Sequence, residues 1–125
     1  MLIDSDVLVW RTRGHVGATK HLRAVPGWRL SAVSYMELAQ GCRNRIELAR
    51  LKRALRADDV EIIEVTPDIS RLACRLIDEL TLSHGLQLGD ALIGATAITL
   101  GLPLLSANAK HFRPMDELML EVFVP

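Results

Sequence analysis

Short apolar segments alternate with longer helical ones along this chain, and this alternation restricts the fold more than any other feature. Strands are expected at residues 2–3, 28–32, 61–65 and 104–106, with a further short candidate at 121–124. Helical spacing fills most of the intervening sequence, and its clearest amphipathic stretch lies between Pro67 and His84. Such an order favours an α/β fold with a mostly parallel sheet of four or five strands and helices on both faces, a three-layer α/β/α sandwich.

The chain length favours one domain. A chain of 125 residues can close one hydrophobic core but is short for two, so residues 1–125 are expected to form a single domain. Within it, a helical arm is expected at about 33–57, where Leu48, Leu51 and Leu55 supply an apolar stripe. This arm either packs within the monomer or serves an interface with another chain. The β-branched run in 61–65 is typical of a buried strand.

Charge and cysteine content limit the classes of partner and compartment. The chain has 15 basic and 15 acidic residues, so any contact with a nucleic acid must depend on local charge. Cys42 and Cys74 lack metal-ligand spacing and are expected to be reduced, buried thiols. The longest apolar tract, 91–105, is too short to span a bilayer. No cleavable leader is expected before the first strand, so we expect a cytoplasmic protein without a membrane anchor.

Four polar residues are expected at one edge of the predicted sheet. Asp4 ends the first strand, and Glu37 follows the second by less than two helical turns. Asp90 begins the helix that leads into the fourth strand, and Asn108 follows that strand by two residues. Because ligands of parallel α/β sheets collect where strands end and helices begin, these four side chains should be neighbours.

Carboxylates that share a pocket repel one another unless protons or cations neutralise them. Oxygen ligands of this kind suit Mg²⁺, with Mn²⁺ as an alternative, and a metal-activated water points to phosphodiester hydrolysis. Taken singly, Asp4 and Asp6 could be helix caps, Asp90 could complement a helix N-terminus and Glu37 could be solvated. The cap interpretation is favoured for Asp6, whereas convergence at one edge favours a functional role for the other three.

Four motifs in order resemble PIN-domain proteins, and most closely the VapC toxins. They are residues 2–8 (LIDSDVL), 31–41 (SAVSYMELAQG), 89–97 (GDALIGATA) and 104–112 (LLSANAKHF). The resemblance runs from the first residue to at least Arg113 and implies a PIN-domain-like fold. It also implies a Mg²⁺-dependent endoribonuclease of a type II toxin–antitoxin pair, inhibited by a cognate VapB-type antitoxin and forming a homodimer. Transfer RNA is the substrate suggested by the family, and the resemblance favours an interface role for the helical arm.

The resemblance also assigns roles residue by residue. Asp4 and Asp90 would be direct metal ligands, Glu37 the third acid, and Asn108 would occupy the fourth catalytic position, where many relatives have Asp. Because an amide brings no negative charge, we expect one well-occupied ion rather than two.

Hydroxyl and basic side chains near these acids are expected to support them. Ser5 stands where the family commonly has Thr, and Ser106 retains a hydroxyl close to Asn108. Candidates for contacts with RNA phosphates are Arg11, Arg13 and Lys110. His15 and His111 are assigned no catalytic role, because a metal-bound hydroxide would remove the need for a general base.

Two other classes of protein compete with this interpretation. A signalling receiver domain would need an Asp at the end of a middle strand, but Asp58 and Asp59 precede the strand at 61–65. This class is therefore disfavoured. A catalytically silent PIN fold that binds RNA or a partner is the remaining alternative, motivated by the missing acid at Asn108 and weakened by retention of the three other acids.

Overall fold

Five short strands form a single parallel sheet in the computed structural model, which describes residues 1–125. In chain order they are β1 (Leu2–Ile3), β2 (Arg29–Ser31), β3 (Glu61–Ile63), β4 (Leu104–Ser106) and β5 (Leu120–Val122). The order across the sheet is β3-β2-β1-β4-β5, and every neighbouring pair is parallel. Thus β1 lies at the centre, where Leu2 is in register with Arg29 on one side and Leu104 on the other.

Seven helices connect and cover these strands. They are α1 (Ser5–Thr12), α2 (Val16–Ala24), α3 (Ala32–Gln40), α4 (Arg45–Ala57), α5 (Pro67–His84), α6 (Leu88–Leu100) and α7 (Ala109–Phe112). Strands β1, β2, β3 and β4 are each followed within a few residues by a helix, so helix N-termini collect along one edge of the sheet. The predicted end of α5 is confirmed, because Gly85 adopts a left-handed conformation with φ of 65°. Helix α7 was not predicted, since its 4 residues are too few to show helical periodicity.

The hydrophobic core has two halves, one on each face of the sheet. Leu2 and Leu104 pack with helices α5 and α6, whereas their neighbours Ile3 and Leu105 pack with α1, α2 and the end of α4. This division follows from strand geometry, because successive side chains point to opposite faces. All four of these side chains have 0% exposure. The predicted three-layer α/β/α sandwich is confirmed, with five strands and a fully parallel sheet.

Two sequence-based predictions about burial are wrong. Strand β3 lies at an edge of the sheet and pairs only with β2, so Glu61 and Ile62 are exposed although the segment was predicted to be buried. A short β-branched run does not reveal whether its strand is central or at an edge. Cys74 is likewise exposed on α5, whereas Cys42 is partly buried, and neither forms a disulfide.

The predicted arm corresponds to α3 and α4. The second of these helices places Leu51 and Leu55 against the hydrophobic core, while Ile46 near its start is 66% exposed. The C-terminal half of α4 therefore packs on the core, whereas the start of α4 is exposed at the surface. An interface role for it stays a prediction. None of the helices has the length and apolar character that crossing a membrane requires.

Candidate active site

Asp4 and Ser106 meet where the two central strands end. Because β1 and β4 are paired in parallel, the residues that follow Ile3 and Leu105 lie side by side. The two oxygens of Asp4 have different partners: Oδ1 accepts the Ser5 N–H at 2.8 Å and Oδ2 accepts the Ser106 hydroxyl at 2.8 Å. Asp4 therefore caps α1 and also lies at the sheet edge, so the two interpretations of this residue are compatible.

Glu37 and Asp90 reach the same edge from α3 and α6. Glu37 Oε1 lies 3.5 Å from the Ser5 hydroxyl, and its other oxygen is 3.4 Å from the position that a Cβ on residue 89 would occupy. Gly89 therefore lets the start of α6 approach Glu37 closely. Asp90 lies in the first turn of α6, and its Oδ2 is 3.2 Å from Nδ1 of His111 on α7. The structure thus brings the three predicted acids, Asp4, Glu37 and Asp90, to one site.

Asp6 is a fourth carboxylate at this site, and its assignment as a helix cap is wrong. Asp6 Oδ2 accepts the Ala107 N–H at 3.1 Å and lies 3.5 Å from the Ser106 hydroxyl. Its Oδ1 is buried and has no hydrogen-bond partner. The side chain therefore joins the first turn of α1 to the loop after β4, across a separation of 101 residues. Its proximity to Asp4 in the motif DSD was the only local signal of this role.

Burial and mutual repulsion disfavour the charged forms of these acids. Burial raises the pKa of Asp4 to about 7, with a further contribution from the charge of Asp6, against hydrogen bonds from Ser106 and Ser5. Burial also raises the pKa of Asp6 and, together with the charge of Asp90, that of Glu37. For Asp90, burial raises the pKa and the nearby His111 opposes the rise. The cluster therefore favours the uptake of protons or of a cation.

The donor atoms of this site fit a hard divalent cation. They are carboxylate oxygens, which Mg²⁺ and Mn²⁺ prefer, and the unpartnered Oδ1 of Asp6 adds a buried oxygen whose hydrogen-bonding capacity is unmet. As they are placed, however, no three His, Cys, Asp or Glu side chains are grouped closely enough to hold an ion. Two properties therefore fit this site to a divalent cation: the oxygen chemistry of its donor atoms and the negative charge of its carboxylates, which no cation neutralises.

The other predicted site residues lie around the rim. Asn108 is exposed at the start of α7, where its backbone N–H donates to the Ser106 hydroxyl at 2.9 Å and its side chain does not cap the helix. Lys110 is exposed on the same helix. Arg11 is paired with Asp58 at 2.5 Å, so part of its hydrogen-bonding capacity is already used.

Arg13, the third predicted phosphate contact, is exposed at the end of α1, with its guanidinium 5.9 Å from the centre of the Trp10 ring.

His111 was assigned no catalytic role, yet its side chain contacts Asp90. No spacing in the sequence joins Asp90 and His111, since Asp90 lies on α6 and His111 follows β4.

The role of Asp6 can be tested by its stability effects. We expect Asp6→Asn to stabilise the metal-free protein by about 1 kcal/mol at about pH 8, because it removes a charge beside Asp4 and keeps an oxygen for the Ala107 N–H. Asp6→Ala should be about 1–3 kcal/mol less stable than Asp6→Asn, because the Ala107 N–H loses its acceptor. Urea unfolding measures both, with the exposed Asp78→Asn on α5 as control. An Asn variant no more stable than the parent would contradict the expected repulsion.

Comparisons with known proteins agree with this fold. Residues 1–118 match the family model described as PIN domain. Over 131 aligned positions, the chain is 35% identical to Ribonuclease VapC10 of Mycobacterium tuberculosis, with 100% of this chain and 95% of the relative covered. A toxin–antitoxin complex from Klebsiella pneumoniae contains a chain with a TM-score of 0.79 and 29% identity, covering 94% and 93% of the two chains. In fold alone, the chain is similar to VapBC2 from Rickettsia felis bound to a promoter DNA fragment, with a TM-score of 0.83, 20% identity and 98% of each chain covered.

Proposed function

We propose a ribonuclease function for this chain, which belongs to the PIN domain family and, within it, to the VapC toxins. Specifically, it would be a Mg²⁺-dependent endoribonuclease that hydrolyses phosphodiester bonds of RNA. The observation that carries this proposal is the convergence of Asp4, Glu37 and Asp90 at the edge where β1 and β4 end. The ribonuclease name of the relative from Mycobacterium tuberculosis supports the same reaction class.

The three acids would have different roles in binding the ion. Asp4 and Asp90 would bind it directly and Glu37 would complete the site, with Mn²⁺ as an alternative to Mg²⁺. When bound, the ion supplies activation of water and stabilisation of charge on the phosphate. With an amide at Asn108, we propose one well-occupied ion.

Neighbouring residues orient these acids before any substrate binds. The Ser106 hydroxyl and the Ser5 N–H hold the Asp4 carboxylate in one rotamer by two hydrogen bonds of 2.8 Å. The Ser5 hydroxyl lies 3.5 Å from oxygens of both Asp4 and Glu37 and so links the two acids. With its proton on Nδ1, His111 would donate to Asp90 and orient that carboxylate.

Partners are proposed from the family and from the relatives. The similar chain from Klebsiella pneumoniae was solved in a toxin–antitoxin complex, and we propose that a cognate VapB-type antitoxin inhibits this protein. We also propose a homodimer, with the helical arm of α3 and α4 at an interface. We propose that the RNA substrate is transfer RNA.

A catalytically silent PIN fold that binds RNA or a protein partner is the second candidate. Two observations favour it: the amide and exposed position of Asn108, and carboxylates that are not grouped closely enough to hold an ion without rearrangement. The retention of all three other acids favours the enzyme.

Incubation of antitoxin-free protein with total RNA distinguishes these candidates. We expect discrete cleavage products in Mg²⁺ or Mn²⁺ and none in EDTA, because removal of the ion leaves the acids without their charge partner. Glu37→Gln, purified identically, should reduce cleavage by about 10²-fold or more, which also excludes contaminating nucleases. RNA profiles that are identical with Mg²⁺, with EDTA and with the variant would favour the silent binding module.

A further inference from the structure

A cavity of about 310 Å³ lies among α3, the C-terminal half of α4 and strand β3. None of the residues that line it belongs to the acidic site, and the proposed function uses none of them. Its volume is at the lower end of the range for pockets that accept small molecules, about 300–1,000 Å³. The cavity is therefore of a size for one small ligand.

Part of the cavity wall is apolar and aromatic. Leu55 of α4 forms its buried part, with 8% exposure, and Tyr35 of α3 contributes a half-buried aromatic side chain. Ile62 remains 38% exposed, because β3 pairs only with β2 and no further strand covers it. A flat ring can pack against such a surface.

Two cations also line the cavity. Lys52 and Arg56 are one helical turn apart on α4, both are exposed, and neither forms a salt bridge. Because the whole chain has zero net charge, this pair is a local feature and not part of a general basic surface. Two adjacent cations without a carboxylate partner favour a phosphate group.

Asp59 adds an acceptor to the same cavity. It follows Asp58, the C-cap of α4, and is the only residue other than glycine with a positive φ, 52°. Glycine is favoured at this position after a helix because it has no Cβ, so the backbone does not explain the carboxylate. A carboxylate accepts hydrogen bonds from hydroxyl groups and repels phosphate. The occupant should therefore carry hydroxyl donors at a distance from its anionic group.

We propose that this cavity binds a nucleoside monophosphate, with Lys52 and Arg56 contacting the phosphate. The base packs against Tyr35 and Ile62, and Asp59 accepts hydrogen bonds from the ribose hydroxyls. The inference does not depend on the proposed ribonuclease function, since the cavity shares no residue with the acidic site. A free mononucleotide and the phosphorylated end of an RNA strand share this chemistry, and the small volume favours the free mononucleotide.

Isothermal titration calorimetry of adenosine 5′-monophosphate into the full chain in EDTA tests this proposal. We expect one site with a Kd of about 10–100 μM. Lys52→Ala and Arg56→Ala should each raise Kd by about 10-fold, because each removes a charge-assisted contact with the phosphate. The matched control is Arg53→Ala, an exposed arginine on the same helix that does not line the cavity, and it should bind as the parent does. Adenosine, which lacks the phosphate, should bind about 10-fold or more weakly and be insensitive to both cation variants.

Asp59→Gly separates ligand contact from folding. Glycine adopts the left-handed conformation without strain, so thermal unfolding of this variant should give a Tm equal to or above that of the parent. We expect its Kd for adenosine 5′-monophosphate to rise by about 5-fold, because the ribose hydroxyls lose their acceptor. Inorganic phosphate should bind at least as well as to the parent, since a nearby negative charge is gone. Unchanged nucleotide binding would overturn the contact assigned to Asp59.

Three results would overturn the proposal as a whole: no heat of binding at millimolar nucleotide, an equal effect of Arg53→Ala, or adenosine that binds as tightly as its monophosphate. A short 5′-phosphorylated RNA that binds as tightly as the mononucleotide, with the same dependence on Lys52 and Arg56, would assign the cavity to an RNA end and also overturn it. Because nucleotide binding is measured in EDTA, each result holds whether or not the parent cleaves RNA.

Discussion

Asp4→Asn and Asp90→Asn are each expected to lower the rate of RNA cleavage by about 10³-fold or more. Both substitutions replace a carboxylate by a neutral amide of the same shape, so the site loses negative charge without losing volume. A hard divalent cation depends on that charge for its affinity. Initial rates on a defined RNA at fixed Mg²⁺ measure the effect.

The design of these variants keeps the fold intact. Asn is as good a helix N-cap as Asp, so Asp4→Asn retains the cap of α1. The control is Asp78→Asn, which removes a charge from an exposed position on α5 away from the site. Circular dichroism should show equal helix content in all three variants. Cleavage by either site variant within about 10-fold of the parent would contradict the assigned role of that acid.

The stability of the metal-free protein is expected to fall as pH rises from about 4 to about 7. Burial and the charge of Asp6 raise the pKa of Asp4 from 3.8 to about 7 in the folded protein. Between pH 3.8 and about 7, the folded state therefore keeps a proton on Asp4 that the unfolded state has released. The free energy of unfolding declines with pH across that window. Each unit of pKa shift corresponds to about 1.4 kcal/mol, so Asp4 alone accounts for a few kcal/mol. The raised pKa values of Asp6, Glu37 and Asp90 act in the same direction.

Divalent ions should reverse this loss. Because a metal binds the deprotonated carboxylates, Mg²⁺ should raise Tm more at about pH 8 than at about pH 5. Asp4→Asn should raise stability at the higher pH and flatten the pH dependence, whereas Asp78→Asn should keep the slope of the parent. Urea unfolding in EDTA and thermal unfolding with Mg²⁺ measure these effects. A protein that becomes more stable between about pH 5 and about pH 8 in EDTA would contradict the expected repulsion.

The sequence by itself determined the elements and the edge at which the acids lie. Alternating apolar and helical segments predicted four strands, a fifth candidate at 121–124 that overlaps β5, and most helices, because periodicity is a local property of the chain. Parallel strands have their carboxyl ends at one edge, so the positions of Asp4, Glu37 and Asp90 after or beside strand ends were enough to place them together. Leu2 and Leu104 lie in short apolar segments that were predicted as strands, and both belong to the hydrophobic core.

Only the tertiary structure decided which partners those acids have. The contacts of Asp6 with Ala107 and of Asp90 with His111 join elements whose separation in sequence carries no periodic signal. The exposure of β3 depended on its place at the sheet edge, where it pairs only with β2. A local pattern determines which residues share one face of a helix or strand. Which other element covers that face depends on the packing of the whole domain, because those contacts form between residues distant in the chain.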